Sequence, residues 1–385
     1  MPDAWAETRN SVSYGARVEG SLRRMRPEPE ITWIDDANLP DRLLRLGVQR
    51  VREPAGGLPQ AAQRVDNDAD RLYATELRIA VERLNIDSAS FVQMERDGGP
   101  DPRVAVRTAV ERTVAARGKQ HNPVTGSGGM LLGTIVAAGA RAGLERAGLA
   151  VGDRVATLVS LSLTPLRLHE ILDLDLERHQ VTVRADAILF DAAGCAKLPD
   201  DLPERVALSA LDVAGAAPQV SRLVRPGARV LILGCGGKSG LLCSAAARQA
   251  GASVVVGVER SAAAAAPAER LGACTSIVVA DAADALAVAD RAIAAGGGQP
   301  FDFTVSCVNV PNAEMGAILA TRDGGTIYFF SMATSFTQAA LGAEGVLRDV
   351  HMLVGNGYCP GHAQATLGLL RSDARLRELF VERYG

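Results

Sequence analysis

Two glycine-rich stretches gather residues able to do chemistry. The first, HNPVTGSGGMLLGTI from His121, sets a histidine and a proline ahead of four glycines in the eight residues from Gly126, then runs into an apolar strand. Glycine costs chain entropy wherever the backbone does not need it. The loop is therefore expected to be built around a phosphate, a metal or the close approach of a substrate. The second stretch, LILGCGGKSGLL, reads as a buried strand, a glycine turn and the start of a helix. Such a turn lets the backbone approach a pyrophosphate, which the helix N-terminus then holds.

The spacing in that turn departs from GxGxxG. Gly234, Gly236 and Gly240 give GxGxxxG, whereas Cys235, Gly237 and Gly240 have the standard spacing with cysteine in first place; Lys238 and Ser239 complete the turn. The next strand ends on Glu259, close to the offset of about twenty residues at which an acidic side chain reads the ribose. Together these features point to a nicotinamide dinucleotide. Glu259 accepts from both ribose hydroxyls and repels a 2′-phosphate, which favours NAD. Arg260 and Ser261 follow at once and suit that phosphate, so NADP stays open. Ligands of parallel sheets bind at the carboxyl ends of the strands. SCVNVPN and SMATSF should then line the nicotinamide, with Asn309 and Met332 as contacts.

The elements that must position these residues change character along the chain. Residues 1–70, rich in Arg, Pro and Asp, read as an extension on the surface with a helix near Asp41–Gly47. From Thr75, TELRIAVERLNIDSASF alternates as a half-buried strand does and turns at Asp87–Ser88. A helix is expected over Asp101–Arg117. GMLLGTIVAAG and VGDRVATLVSL read as strands, with short ones near Gln180–Arg184, Ala187–Phe190 and Cys195–Leu198. Short strands and glycine turns with few helices suggest a small β-barrel over 71–203. After Leu202, β and α segments alternate through GTIYFF, which specifies a doubly wound parallel sheet with helices on both faces over 204–355. A helical segment, 356–385, follows, and HMLVG (His351–Gly355) is an apolar candidate for an edge strand that would pair two subunits. The fold class is thus α/β: a Rossmann sheet plus a β-barrel domain with an N-terminal extension.

Composition excludes several functions. The 385 residues carry a formal net charge of −3, which gives no overall attraction to nucleic acid or an anionic membrane. No apolar run is long enough to span a bilayer, and the polar start MPDAWAETRN lacks the core of a signal peptide. Six cysteines without a CxxC pair read as free cytosolic thiols. Five histidines without HExxH give no zinc spacing.

A barrel before a dinucleotide domain, joined with the AGLAVGDRV turn, resembles the medium-chain dehydrogenase/reductase superfamily over about 75–370. That resemblance implies a GroES-like catalytic barrel. Alcohol dehydrogenases of the superfamily carry GHE where this chain has Gly126-Ser127-Gly128, and their zinc-binding cysteine is matched by Asp87. Neither Ser nor Gly replaces imidazole on zinc, so no metal is expected. Within the superfamily, ERLNIDSASF, KQHNPVTGSGGMLLGT, GGKSGLLC, FFSMATSFTQAALGAEG and GNGYCPGHA resemble the L-erythro-3,5-diaminohexanoate dehydrogenase family of bacterial lysine fermentation. The resemblance implies a small diamino acid substrate that loses its 3-amino group, giving 5-amino-3-oxohexanoate, ammonia and reduced cofactor. Superfamily members often pair through an edge strand of the nucleotide domain, which implies a homodimer; the cytoplasmic expectation comes from the free thiols and the polar N-terminus.

An amine must lose a proton before its carbon can release hydride, because an ammonium has no lone pair to form an iminium. Water must then add, again with help from a base. His121 is the leading candidate, since imidazole titrates near neutrality. Lys119 would meet the substrate carboxylate and Asp87 its spare 5-ammonium, while Ser88 and Thr125 would orient water. The glycine loop would then pack backbone against substrate and nicotinamide. A zinc-free quinone or enoyl-thioester reductase on the same fold, which needs no such base, is the alternative. A cofactor-binding protein without catalysis is a third.

Overall fold

The computed structural model describes residues 31–385 apart from 37, 124, 125, 332 and 356, and leaves out the side chains of Ser88 and Ala89. It forms two compact units. The first runs to Gly194 apart from Ala156–Leu158, and the second comprises Ala156–Leu158 and Cys195–Gly385.

In the first unit four long strands, β1 (Leu77–Asn85), β2 (Met130–Ala138), β3 (Leu166–Asp175) and β4 (Gln180–Leu189), lie in the order β2-β1-β4-β3. β1 pairs antiparallel with β2 and β4, and β4 with β3. Two differences from the sequence reading have physical causes. β4 is one strand, not two, because the polar residues inside it are satisfied: Arg184 faces Glu170 across the pair at 3.0 Å, and Asp186 accepts from Arg78 Nε and Nη2 at 3.1 Å each. β3 carries little strand signal because its outer face is polar and charged, so LRLHEILDLD resembles a loop.

The segment expected to turn at Asp87–Ser88 instead opens a helix, α1 (Ser88–Asp97). Asp87 is its N-cap, with Oδ1 accepting the Ser90 N–H at 2.9 Å. Asp and Ser serve turns and helix caps by the same local hydrogen bonds, so the string alone did not separate the two. α2 (Pro102–Arg117) is where it was expected, with Asp101 capping its start and Pro at the first position.

Residues 40–72 are built into this unit rather than laid over it. The expected helix forms at Asp41–Leu46, and Leu44 is fully buried. Arg50, itself buried, donates from Nε and Nη2 to Glu76 Oε1 and Oε2 at 2.9 and 2.6 Å. The third nitrogen, Nη1, reaches Asp68 O at 3.0 Å. A buried guanidinium is tolerable only when its charge and donors are met in this way.

The second unit is a six-stranded sheet of β5 (Arg229–Leu233), β6 (Val254–Glu259), β7 (Ser276–Val279), β8 (Phe301–Ser306), β9 (Thr321–Phe329) and β10 (Val350–Val354). Every pair is parallel, in the order β7-β6-β5-β8-β9-β10. Leu231, Leu233, Val256, Val258, Phe301, Ile327 and Phe329 fill its core. The chain reverses its direction of travel between β5 and β8, and in such sheets that crevice receives the ligand. β10 is an outermost strand, where HMLVG was expected. Among the described residues no helix is long and apolar enough to cross a membrane.

Candidate functional site

The second unit holds the glycine turn between β5 and α3 (Lys238–Gln249). Gly234, at φ +79°, reverses the chain. Any side chain at Gly240 would put its Cβ 2.0 Å from Gly234 O and 2.6 Å from Cys235 Cα, so the helix presses directly on the turn. Cysteine in the first fingerprint position is explained by its neighbour. The Cys235 thiol lies in the space left by Gly257, whose Cβ would come within 2.5 Å of Sγ. Above Gly237 nothing lies closer than 3.8 Å to a would-be Cβ, leaving bare backbone open at the helix start.

Glu259, at the end of β6, is tied to this turn. Its Oε1 accepts the Gly236 N–H at 2.8 Å, and Oε2 accepts the Arg260 N–H at 3.3 Å. Ser261 caps α4 (Ala262–Leu271), its Oγ accepting the Ala264 N–H at 3.2 Å. Lys238 pairs with Asp212 at 2.6 Å. Ser239 follows in the first turn of α3. Asn309 is exposed just beyond β8, and Met332 lies outside the described residues. One contact had no signal in the sequence. Arg383 of α5 (Ala374–Tyr384) donates from Nη1 to Gly236 O at 2.6 Å.

In the first unit the loop after α2 closes on itself. Asn122 N–H donates to Ser127 O at 2.8 Å and Gly126 N–H to Asn122 O at 2.9 Å. Asn122 Nδ2 reaches Gln93 Oε1 at 2.7 Å, which knits the loop to α1. Two of its glycines make room for the protein's own chain, not for the ligand expected there. A Cβ on Gly128 would sit 2.3 Å from Gln120 O and 2.6 Å from Ser162 N, and one on Gly129 2.1 Å from Asn85 O. The loop and the end of β1 are thereby brought into contact, which places Asp87 and His121 on adjoining segments.

His121 is half-buried, and its Nδ1 is buried without a partner. Burial foremost, then the cations of Lys119 and Arg117, lowers its pKa below the ordinary 6.5, so the imidazole is neutral at pH 7. Asp87 has one oxygen committed to the cap and the other, Oδ2, buried without a partner. Gln120, which the sequence did not single out, is fully buried with neither amide atom hydrogen-bonded. Lys119 requires a correction. It is fully buried, with Nζ donating to Pro59 O at 2.5 Å and Gln60 O at 3.3 Å, so its ammonium is committed to the chain and not presented to a carboxylate. Burial, with Arg117 adding to it, brings its pKa down to about 8. Thr125 lies outside the described residues, and of Ser88 only its place at the start of α1 is described. Among the described residues no group of three or more His, Cys, Asp or Glu is placed to hold a metal ion.

Solved structures share this architecture. The crystal structure of AibC aligns with a TM-score of 0.50 at 17% identity over 79% of each chain. The alcohol dehydrogenase TADH from Thermus sp. ATN1 also gives 0.50, at 18% identity over 80% of this chain and 85% of its own. At that identity the likeness is one of fold alone. Sequence likeness goes much further. Residues 49–199 match the model of the L-erythro-3,5-diaminohexanoate dehydrogenase N-terminal domain. The L-erythro-3,5-diaminohexanoate dehydrogenase of Acetoanaerobium sticklandii is 48% identical over 343 residues, 88% of this chain and 98% of the relative. That of Fusobacterium nucleatum subsp. nucleatum is 48% identical over 342 residues, with the same coverage. Identity at this level along nearly the whole of two relatives, on the fold just described, establishes that the chain belongs to the L-erythro-3,5-diaminohexanoate dehydrogenase family.

Proposed function

We propose that the chain oxidatively deaminates L-erythro-3,5-diaminohexanoate to 5-amino-3-oxohexanoate and ammonia, in lysine degradation. The observation that carries this reading is 48% identity across 98% of two relatives of that name. The quinone or enoyl-thioester reductase alternative rests on fold alone, which does not fix chemistry.

The turn fits a dinucleotide: a tight reversal at Gly234 and Gly236, open backbone at Gly237, a helix N-terminus at Lys238 and Ser239 packed close on the turn at Gly240, and a carboxylate beside them at Glu259. A bound nicotinamide supplies the acceptor for the hydride leaving the substrate's C3. Glu259 would hold the ribose hydroxyls of NAD, while Arg260 and Ser261 would meet the 2′-phosphate of NADP. Asn309 and Met332 would line the nicotinamide.

His121 would act as general base. A neutral imidazole takes a proton from the 3-ammonium and releases it to solvent; after hydride loss it takes one from the attacking water and returns it to the departing amine. With Nδ1 buried, Nε2 is the atom assigned to that exchange. Asp87 Oδ2 suits the 5-ammonium, and the amide of Gln120 a further polar group of the substrate. Ser88 and Thr125 would orient the water. Lys119 contributes at a distance, as one of the cations that keep His121 neutral. The proposal extends to a homodimer joined through β10 and to a cytoplasmic location, supported by the free thiols of all six cysteines.

The test is reduction of NAD and NADP assayed with L-erythro-3,5-diaminohexanoate against β-lysine and simple amino acids, with ammonia measured. Reduced cofactor and ammonia should form together with the diamino acid. Turnover of quinones or enoyl thioesters without release of ammonia from any amine would overturn the reading.

A further inference from the structure

We propose that Arg383 is a positioning residue of the cofactor site, steadying Gly236, whose N–H holds the Glu259 carboxylate that reads the ribose. This rests on the dinucleotide reading of the turn. Gly236 is held on both sides of its Cα: its N–H by Glu259 Oε1 at 2.8 Å, and its carbonyl by Arg383 Nη1 at 2.6 Å across 147 residues of sequence. The two groups belong to neighbouring rigid peptide planes that meet at that Cα. Glycine has no side chain to limit its φ and ψ, so anchoring the carbonyl takes up freedom that would otherwise let the N–H swing. That N–H meets Oε1, and the Arg260 N–H at Oε2 sets the rest of the carboxylate. Arg383 thus acts on the ribose reader through one residue.

The guanidinium is not needed to seat its own helix. α5 is anchored by Leu376, Leu379 and Phe380, which are buried, and by Asp373, whose side chain caps its start. The paired Arg270 and Glu382, at 2.5 Å, fasten the same turn of the helix to α4 without touching Gly236. The side chain of Arg383 also lies 5.5 Å from the Tyr384 ring centroid, which restricts where its guanidinium can point.

The test measures dissociation constants of NADH and NADPH by nicotinamide fluorescence for the full chain, alongside melting temperature. Arg383→Met should weaken NADH roughly three- to tenfold, as for one lost hydrogen bond, and NADPH less, the pattern of a residue acting through Glu259, with the melting temperature little changed. Arg383→Lys, which keeps a charged donor, should fall between. Arg270→Met should leave both constants as in the wild type. Unchanged constants in Arg383→Met would overturn the proposal. So would an equal loss in Arg270→Met, which would make Arg383 a helix fastener. A loss in Arg383→Met that vanishes at high salt would also overturn it, by revealing direct ionic contact with phosphate. If the wild type binds neither nucleotide, the dinucleotide reading itself fails, and that result is distinct from all of these.

Discussion

The Glu259 carboxylate accepts the amide hydrogen of Gly236 at 2.8 Å, joining the end of one strand to the glycine turn that follows another. The bond sets the acidic side chain before any ligand arrives, and charge-assisted bonds of this kind are the stronger ones. Glu259→Ala is expected to weaken NAD about ten- to a hundredfold, and NADP less, because the lost ribose bonds matter only where no phosphate stands. Titrations with both cofactors check this. A wild type that prefers NADP would assign Arg260 and Ser261 to the phosphate.

Gly240→Ala should abolish tight cofactor binding while the first unit stays folded. The new Cβ would meet Gly234 O at 2.0 Å, a backbone atom that moves only with the turn itself. Fluorescence titration against wild type reads the loss.

His121→Ala should lower turnover by about 10² to 10⁴ and leave cofactor binding nearly intact. Because burial and two cations depress the His121 pKa, the neutral base persists below pH 6.5. The wild-type rate should therefore fall only as pH drops through a value under 6.5, and the variant should lose that limb. The same depression makes the folded state resist protonation, so stability falls as pH drops from 6.5 through the folded value. An unchanged pH profile in a folded variant would move the role of base to Asp87.

Activity should survive strong chelators, and metal analysis should find no stoichiometric zinc. The loop carries Gly126-Ser127-Gly128, and neither serine nor glycine offers an imidazole to zinc. One tightly held zinc per chain, essential for turnover, would overturn this.

Glu76→Gln should destabilise the first unit by about 3–5 kcal/mol, since it leaves the buried Arg50 guanidinium without its carboxylate. Urea unfolding gives the number directly. A change under about 1 kcal/mol would mean that Asp68 O and its neighbours suffice.

How much was legible follows from how local each feature is. The glycine turn, the acidic residue ending the next strand, the alternation of β and α segments and the edge strand at HMLVG were all readable, because a parallel sheet imposes short-range patterns of apolar runs and turn residues. Asp101 and Pro102 announced α2 in the same way. The glycines of 126–129 were visible, but their purpose was not. What fills the space beside Gly128 and Gly129 is Gln120, Ser162 and Asn85, and only the folded chain decides which backbone crosses which. Lys119 looked like a free cation because its partners, the carbonyls of Pro59 and Gln60, are backbone groups about sixty residues away that carry no sequence signal. Arg383 was silent for the same reason: a side chain that recognises a peptide carbonyl is specified by position alone. The sequence by itself determined the fold class, the cofactor turn and the family. Tertiary structure alone decided which charges are spent inside the protein and which polar groups, such as Gln120 and Asp87 Oδ2, are buried without a partner.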